Sequence, residues 1–158
     1  MSEAANAGHL HQLSITAVSG ELGGVSSLFN KPSAYVEILV DGVQQKKTQN
    51  VKHNAHPKWH ETFTVLVNKD SVLVFRVLDH HTLVRDSVIG EATVNLAEVV
   101  RNNAGKSSTL TLSLGPPQNQ VPPTASPTPT IIITLDGLQS LGRSRESPSY
   151  SLPTGQCF

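Results

Sequence analysis

The sequence predicts an all-β fold, an eight-stranded antiparallel sandwich with one short helix. Eight short strand-like runs lie between Leu13 and Leu135, several of them alternating apolar and polar residues with a period of two, the signature of half-buried strands. Turn-forming residues separate these runs at short intervals, and helical periodicity is almost absent, which selects a sandwich over a mixed fold.

The first strand is Leu13–Val18, where Leu13, Ile15 and Ala17 alternate with Ser14 and Thr16. The second, Ala34–Val40, sets Val36, Ile38 and Val40 on one face. Asp41-Gly42 then links it to Val43–Thr48, a strong hairpin signal because both linking residues need a positive φ. Glu61–Val67 and Val72–Leu78 follow, joined by the polar turn Asn68-Lys69-Asp70-Ser71. Gly90, Ala92, Val94 and Leu96 mark the sixth strand. Asn95 and Glu98 stand at capping-box spacing before Val99-Val100, which places the helix there. Leu110, Leu112 and Leu114 give the seventh strand and Ile131, Ile133 and Leu135 the eighth, closed by Asp136-Gly137. The Pro- and Thr-rich stretch 115–129 reads as an irregular connection. Residues 1–11 and 139–158 read as lacking packed structure, so the domain is 12–138.

A chain of 158 residues accommodates one such domain and a tail. Twelve basic residues balance twelve acidic ones, so no global field favours nucleic acid. The single cysteine, Cys157, excludes a disulfide framework and a Cys-rich zinc site within the chain, which fits a reducing, cytoplasmic compartment. Met1–Asn6 lacks the pattern of a signal peptide. Ser2 stands where myristoylation needs glycine, Cys157 lies too near the C-terminus for prenylation, and no apolar run is long enough to span a bilayer. Attachment to a membrane is therefore expected from the cytosol and reversibly.

Four segments in order resemble a C2 domain: Leu13-Ser14-Ile15-Thr16-Ala17-Val18, Pro32-Ser33-Ala34-Tyr35-Val36, Pro57-Lys58-Trp59-His60-Glu61, and Val77-Leu78-Asp79-His80-His81 running on to Gly90. Phe29, Tyr35-Val36-Glu37, Val40-Asp41-Gly42, His81-Thr82-Leu83 and Thr134-Leu135-Asp136-Gly137-Leu138 resemble the N-terminal C2 domains of WW–HECT ubiquitin ligases, the Itch, WWP and Suppressor-of-deltex branch. That resemblance, over about residues 10–140, implies the permuted strand order that starts with the Leu13–Val18 run. It also implies the targeting part of a ligase whose WW repeats and catalytic HECT domain are not in this sequence.

C2 domains that bind calcium collect its oxygens mostly from aspartates of two loops. Here the corresponding positions are degenerate: Ser33 stands for an aspartate, Asp79 is kept, His81 replaces the next, and Asp86 falls one residue before Ser87. No metal or other cofactor is expected. The alternative role for Asp79 and Asp86 is to pair with Arg85 or to cap turn amides.

From Gly42 to His60 there are four lysines, three histidines and no acid. Lys46, Lys47, Lys52, His53 and Lys58 are thus the candidate binding residues for an anionic phospholipid membrane. Three or four lysines near an acidic leaflet contribute roughly 3–4 kcal/mol, which is millimolar-range binding. Leu28-Phe29 and Leu83-Val84 are the candidate membrane-inserting loop tips, unless they pack beneath their own loops. His53, His56 and His60 are too irregularly placed around Pro57 for a zinc site, but their protonation would enlarge the positive patch in acid. Trp59 reads as a core anchor.

Two functions compete. The first is calcium-independent, peripheral attachment to anionic membranes. The second is a protein-interaction module that docks on a HECT domain or another partner, as the resemblance implies. No nucleophile–base motif or phosphate-cradling loop is present, Gly20, Gly23 and Gly24 fit an ordinary loop, and Cys157 has no implied partner. An enzyme with a small-molecule substrate is not expected.

Overall fold

The computed structural model describes residues 10–23, 31–103, 106–116, 128–138 and 141. Leu28 and Phe29, residues 1–9, most of the Pro-rich connection, and the tail beyond Leu141 with Cys157 lie outside the described residues. The elements are β1 (His11–Glu21), β2 (Ala34–Val40), β3 (Val43–Lys47), β4 (Lys58–Val67), β5 (Val72–Asp79), β6 (Ser87–Asn95), α1 (Leu96–Asn103), β7 (Ser108–Ser113) and β8 (Thr130–Asp136).

They form two four-stranded antiparallel sheets, β4-β1-β8-β7 and β3-β2-β5-β6. The alternation read from sequence puts Leu13, Ile15, Ile131, Ile133 and Leu135 of the first sheet against Val36, Ile38, Leu73, Phe75 and Val77 of the second, all essentially inaccessible. Their hydroxyl-bearing neighbours face out. Thr62, Thr16, Thr134 and Thr109 follow one another across the four strands of the first sheet. Hydroxyl contacts of 2.8 Å (Thr16–Thr62) and 3.0 Å (Thr109–Thr134) lock the outer pairs.

The β2–β3 turn takes φ of 50° at Asp41 and 86° at Gly42, as a two-residue hairpin requires. The Asp41 carboxylate also accepts from Ser71 Oγ and the Val72 amide, both at 2.9 Å, which ties this turn to the start of β5. Asn95 caps α1 by accepting from the Ala97 amide at 3.1 Å. Strand β4 starts at Lys58, three residues before the Glu61 expected from alternation. A left-handed His60 (φ 49°) and a bulge opposite Ala17 and Ser19 let the pairing with β1 continue past the break in period.

The flank of the sandwich between β6 and β7 is closed by reciprocal amide–carbonyl bonds between Glu91 and Gly115 of 2.9 and 2.8 Å. Gly90 permits this approach: a Cβ there would lie 2.9 Å from both the Gly115 carbonyl and Leu114 Cβ. Gly90→Ala is therefore expected to cost about 1–3 kcal/mol, read as a lower urea midpoint with unchanged slope.

Candidate functional site

The site begins with a register shift. A two-residue hairpin continued without interruption would set Glu37 opposite Lys46. Instead a bulge between Ile38 and Leu39 makes the pairs Ile38–Lys46 and Glu37–Lys47. One extra residue exchanges the faces on which side chains emerge. Lys47 therefore joins Tyr35 and Glu37 on the outer face of the second sheet, while Lys46 is sent to the other side. The Lys47 ammonium lies 5.8 Å from the Tyr35 ring centroid, within cation–π range.

Beyond β3 the chain runs back along β2. Thr48 N donates to the Val36 carbonyl at 2.9 Å, and Val36 N donates to Thr48 Oγ1 at 3.0 Å. These bonds hold Thr48, Gln49, Asn50 and Lys52 as one wall of a cleft of about 590 Å³, with Tyr35 and Lys47 as its floor and His80 and Asp86 as the opposite wall.

That opposite wall is the β5–β6 loop. The Tyr35 hydroxyl donates to Asp86 Oδ2 at 2.6 Å, and the His81 amide donates to Asp86 Oδ1 at 3.0 Å. His80 Nδ1 stands 3.2 Å from the same Oδ1. These bonds, the Tyr35 hydroxyl foremost, pull the Asp86 carboxyl down to about 2. Burial, reinforced by Asp86, pushes the Tyr35 phenol well above its ordinary value. Asp79 accepts from the Ser33 amide at 2.8 Å and lies 3.8 Å from His81 Nε2, which also meets Ser87 Oγ at 3.1 Å. The two aspartates are thus held by amides, a phenol and imidazoles, and not by Arg85. Among the described residues, no group of three His, Cys, Asp or Glu side chains is placed to hold a metal ion.

Because the Asp86 carboxyl is lowered in the folded state, its ionised form adds stability above the unfolded value of about 4, and that stability is lost as pH falls toward about 2. Asp86→Asn is expected to remove this dependence. In thermal melts the difference between wild type and variant should shrink between pH 4 and pH 2 and be constant at neutral pH.

Between the two ends of this loop, Leu83 is 94% and Val84 69% exposed. They do not pack beneath the loop. In the chain they lie between His80 and Asp86, which line the cleft. Of the five basic residues singled out from sequence, Lys47 and Lys52 come together here. Lys46 faces away, Lys58 sits on the other sheet opposite Ser19, and the His53 amide donates to Ser33 Oγ at 3.2 Å outside the cleft. His56 pairs with Glu21 at 2.5 Å and does not line the cleft. Tyr35 and His80 were not singled out. The signal for Tyr35 was its place two residues before Glu37, on the strand face opposite Val36 and Ile38.

A family model described as C2 domain matches residues 11–112. The chain belongs to the C2 domain family. Among curated relatives, it is 26% identical over 90 residues to E3 ubiquitin-protein ligase RSP5 of Chaetomium thermophilum, covering 56% of this chain and 11% of that one. It is 28% identical over 86 residues to Elicitor-responsive protein 1 of Oryza sativa subsp. japonica, covering 51% of this chain and 50% of that one. The chain thus spans about a tenth to a half of the curated relatives it matches. The ligase matches agree with the ligase-type C2 domain read from the sequence. A C2 domain of plant Extended Synaptotagmin 1 superposes with a TM-score of 0.62 at 20% identity, over 78% of this chain and 91% of that one. A structure of Extended-Synaptotagmin 2 that joins its SMP domain to C2 domains gives 0.63 at 18% identity, over 81% and 27%. Both likenesses concern the fold. Among the described residues no helix is long and apolar enough to cross a membrane.

Proposed function

We propose that this chain is a non-catalytic C2 module that attaches reversibly to anionic phospholipid membranes without calcium, in the cytoplasm, as the targeting part of a WW–HECT-type ubiquitin ligase. The observation that carries the reading is the Tyr35–Lys47–Lys52 cleft, whose lining includes His80 and Asp86, between which the exposed Leu83-Val84 tip lies in the chain. A cleft with two lysines in its lining suits a phosphate-bearing headgroup, and an exposed apolar pair in the loop that supplies its far wall suits the acyl boundary. The cleft lysines contribute about 2 kcal/mol near an acidic leaflet. Insertion of Leu83 and Val84 adds about 3–6 kcal/mol before the entropic cost of docking. The balance is micromolar-to-millimolar attachment.

Calcium has no role in this reading: Ser33 and His81 stand at positions where a cation would need carboxylates, and Asp79 and Asp86 are engaged by the Ser33 and His81 amides and the Tyr35 hydroxyl. The test is vesicle co-sedimentation of the paired variant Lys47→Ala/Lys52→Ala. It is expected to bind phosphatidylserine-containing vesicles about thirty-fold more weakly, the equivalent of roughly 2 kcal/mol. Lys46→Ala, facing away, should change binding far less. Equal losses for both would show a diffuse positive charge at work and not this cleft. Undiminished binding of the paired variant, with capture of an isolated HECT domain, would favour the protein-docking alternative.

A further inference from the structure

The sandwich has four edge strands, and they are not equally protected. β6 is bridged through Glu91 to Gly115, two residues beyond the end of β7, which closes that flank of the sandwich. β3 is five residues long, carries Lys46 and Lys47, and is interrupted by its bulge, three devices that discourage strand addition. β4 is different. Near its start, the Gln49 amide from the chain after β3 donates to the Glu61 carboxylate at 2.9 Å. Its remainder, Thr62-Phe63-Thr64-Val65-Leu66-Val67, carries no charge and no proline. It pairs with β1 in unbroken register on one side and with no other strand among the described residues. Phe63 is only partly buried, and Leu66 is 57% exposed.

We propose that this edge pairs with the same edge of a second copy of the chain, antiparallel about a two-fold axis through Thr64, to join two four-stranded sheets into one of eight. An isologous contact sets each residue near its own copy, so a charge close to the axis would face a like charge and oppose pairing. Thr62–Val67 has none to oppose it. In this register Thr62 meets Leu66 of the second copy on the outer face, extending the threonine row across the junction. Phe63 meets Val65 on the inner face, which covers the ring that one copy leaves half-open. The antiparallel sense also brings the end of β4 carrying Lys58 and Glu61 against the turn carrying Lys69 and Asp70, with both signs of charge on either side.

Sedimentation velocity on the full chain across a concentration series tests this. The wild type is expected to show a monomer–dimer equilibrium. Thr64→Lys, an exposed substitution at the axis, should raise its midpoint by at least about tenfold by setting like charges directly opposite. Thr111→Lys, the corresponding outward change on the β7 edge, should leave it in place. A Thr64→Cys/Cys157→Ser chain should form a symmetric intermolecular disulfide on mild oxidation, since side chains directly opposite across an antiparallel pair stand at bonding range. A chain that stays monomeric at every accessible concentration overturns the proposal. So does one that stays monomeric yet captures a foreign extended peptide, or a dimer lost with Thr111→Lys and kept with Thr64→Lys.

Discussion

Trp59→Ala is expected to lower the unfolding free energy by about 3–5 kcal/mol, a large share of the roughly 5–15 kcal/mol that keeps a domain folded. The indole is buried where β4 of one sheet approaches β2 of the other, and its Nε1–H donates to the Ala34 carbonyl at 3.0 Å. That bond is a polar link between the two layers. Loss of the ring would leave a cavity beside Gly20 and Ile131, since it packs where a Gly20 Cβ would lie 3.1 Å from the indole and 3.5 Å from Ile131. Trp59→Phe separates the two contributions. It keeps most of the apolar volume and drops the hydrogen bond, and Ala34 O retains the Val51 amide at 3.0 Å. Its expected cost is about 1–2 kcal/mol. Denaturant unfolding followed by far-ultraviolet circular dichroism measures both. A Trp59→Ala variant as stable as wild type would show that the sheets are held by the aliphatic core alone.

Leu83→Asp/Val84→Asp should have the opposite profile, with folding intact and vesicle binding reduced by at least about a hundred-fold. Both side chains are largely in water in the free protein, so no packing is lost and the melting temperature is expected to move by no more than a surface change does. On a bilayer, two inserted apolar side chains would be replaced by two carboxylates facing an acidic surface, which removes about 3–6 kcal/mol of transfer energy and adds repulsion. Tightened or unchanged binding would mean that the protein meets the lipid through some other surface.

Most of the sandwich was legible from periodicity because most of its strands are half-buried with one polar face, though β2 is buried along nearly its whole length and β3 is exposed throughout. Ser14 and Thr16 between Leu13, Ile15 and Ala17 are sufficient to orient β1, and Asp41-Gly42 specifies the β2–β3 hairpin. Where alternation was broken by a bulge, the reading stopped short, as at Lys58–His60, where β4 continues through a left-handed histidine. The same cause blurred the site. Lys46 and Lys47 are adjacent in sequence, and which of them reaches Tyr35 depends on one extra residue in the hairpin. No local pattern announces that residue. The weak acidic character of the calcium positions was plain from Ser33 and His81, whereas several donors that occupy Asp79 and Asp86 come from residues far away in the chain. The Tyr35–Asp86 bond spans 51 positions, beyond the range of any local pattern.

The most direct measurement is co-sedimentation of the chain with phosphatidylcholine vesicles, with and without phosphatidylserine, in excess chelator and in added calcium. The predicted result is capture by the acidic vesicles only, to the same extent in both conditions, and loss of capture as salt screens the cleft lysines. Capture that appears only when calcium is added would contradict it, as would equal capture by the neutral vesicles.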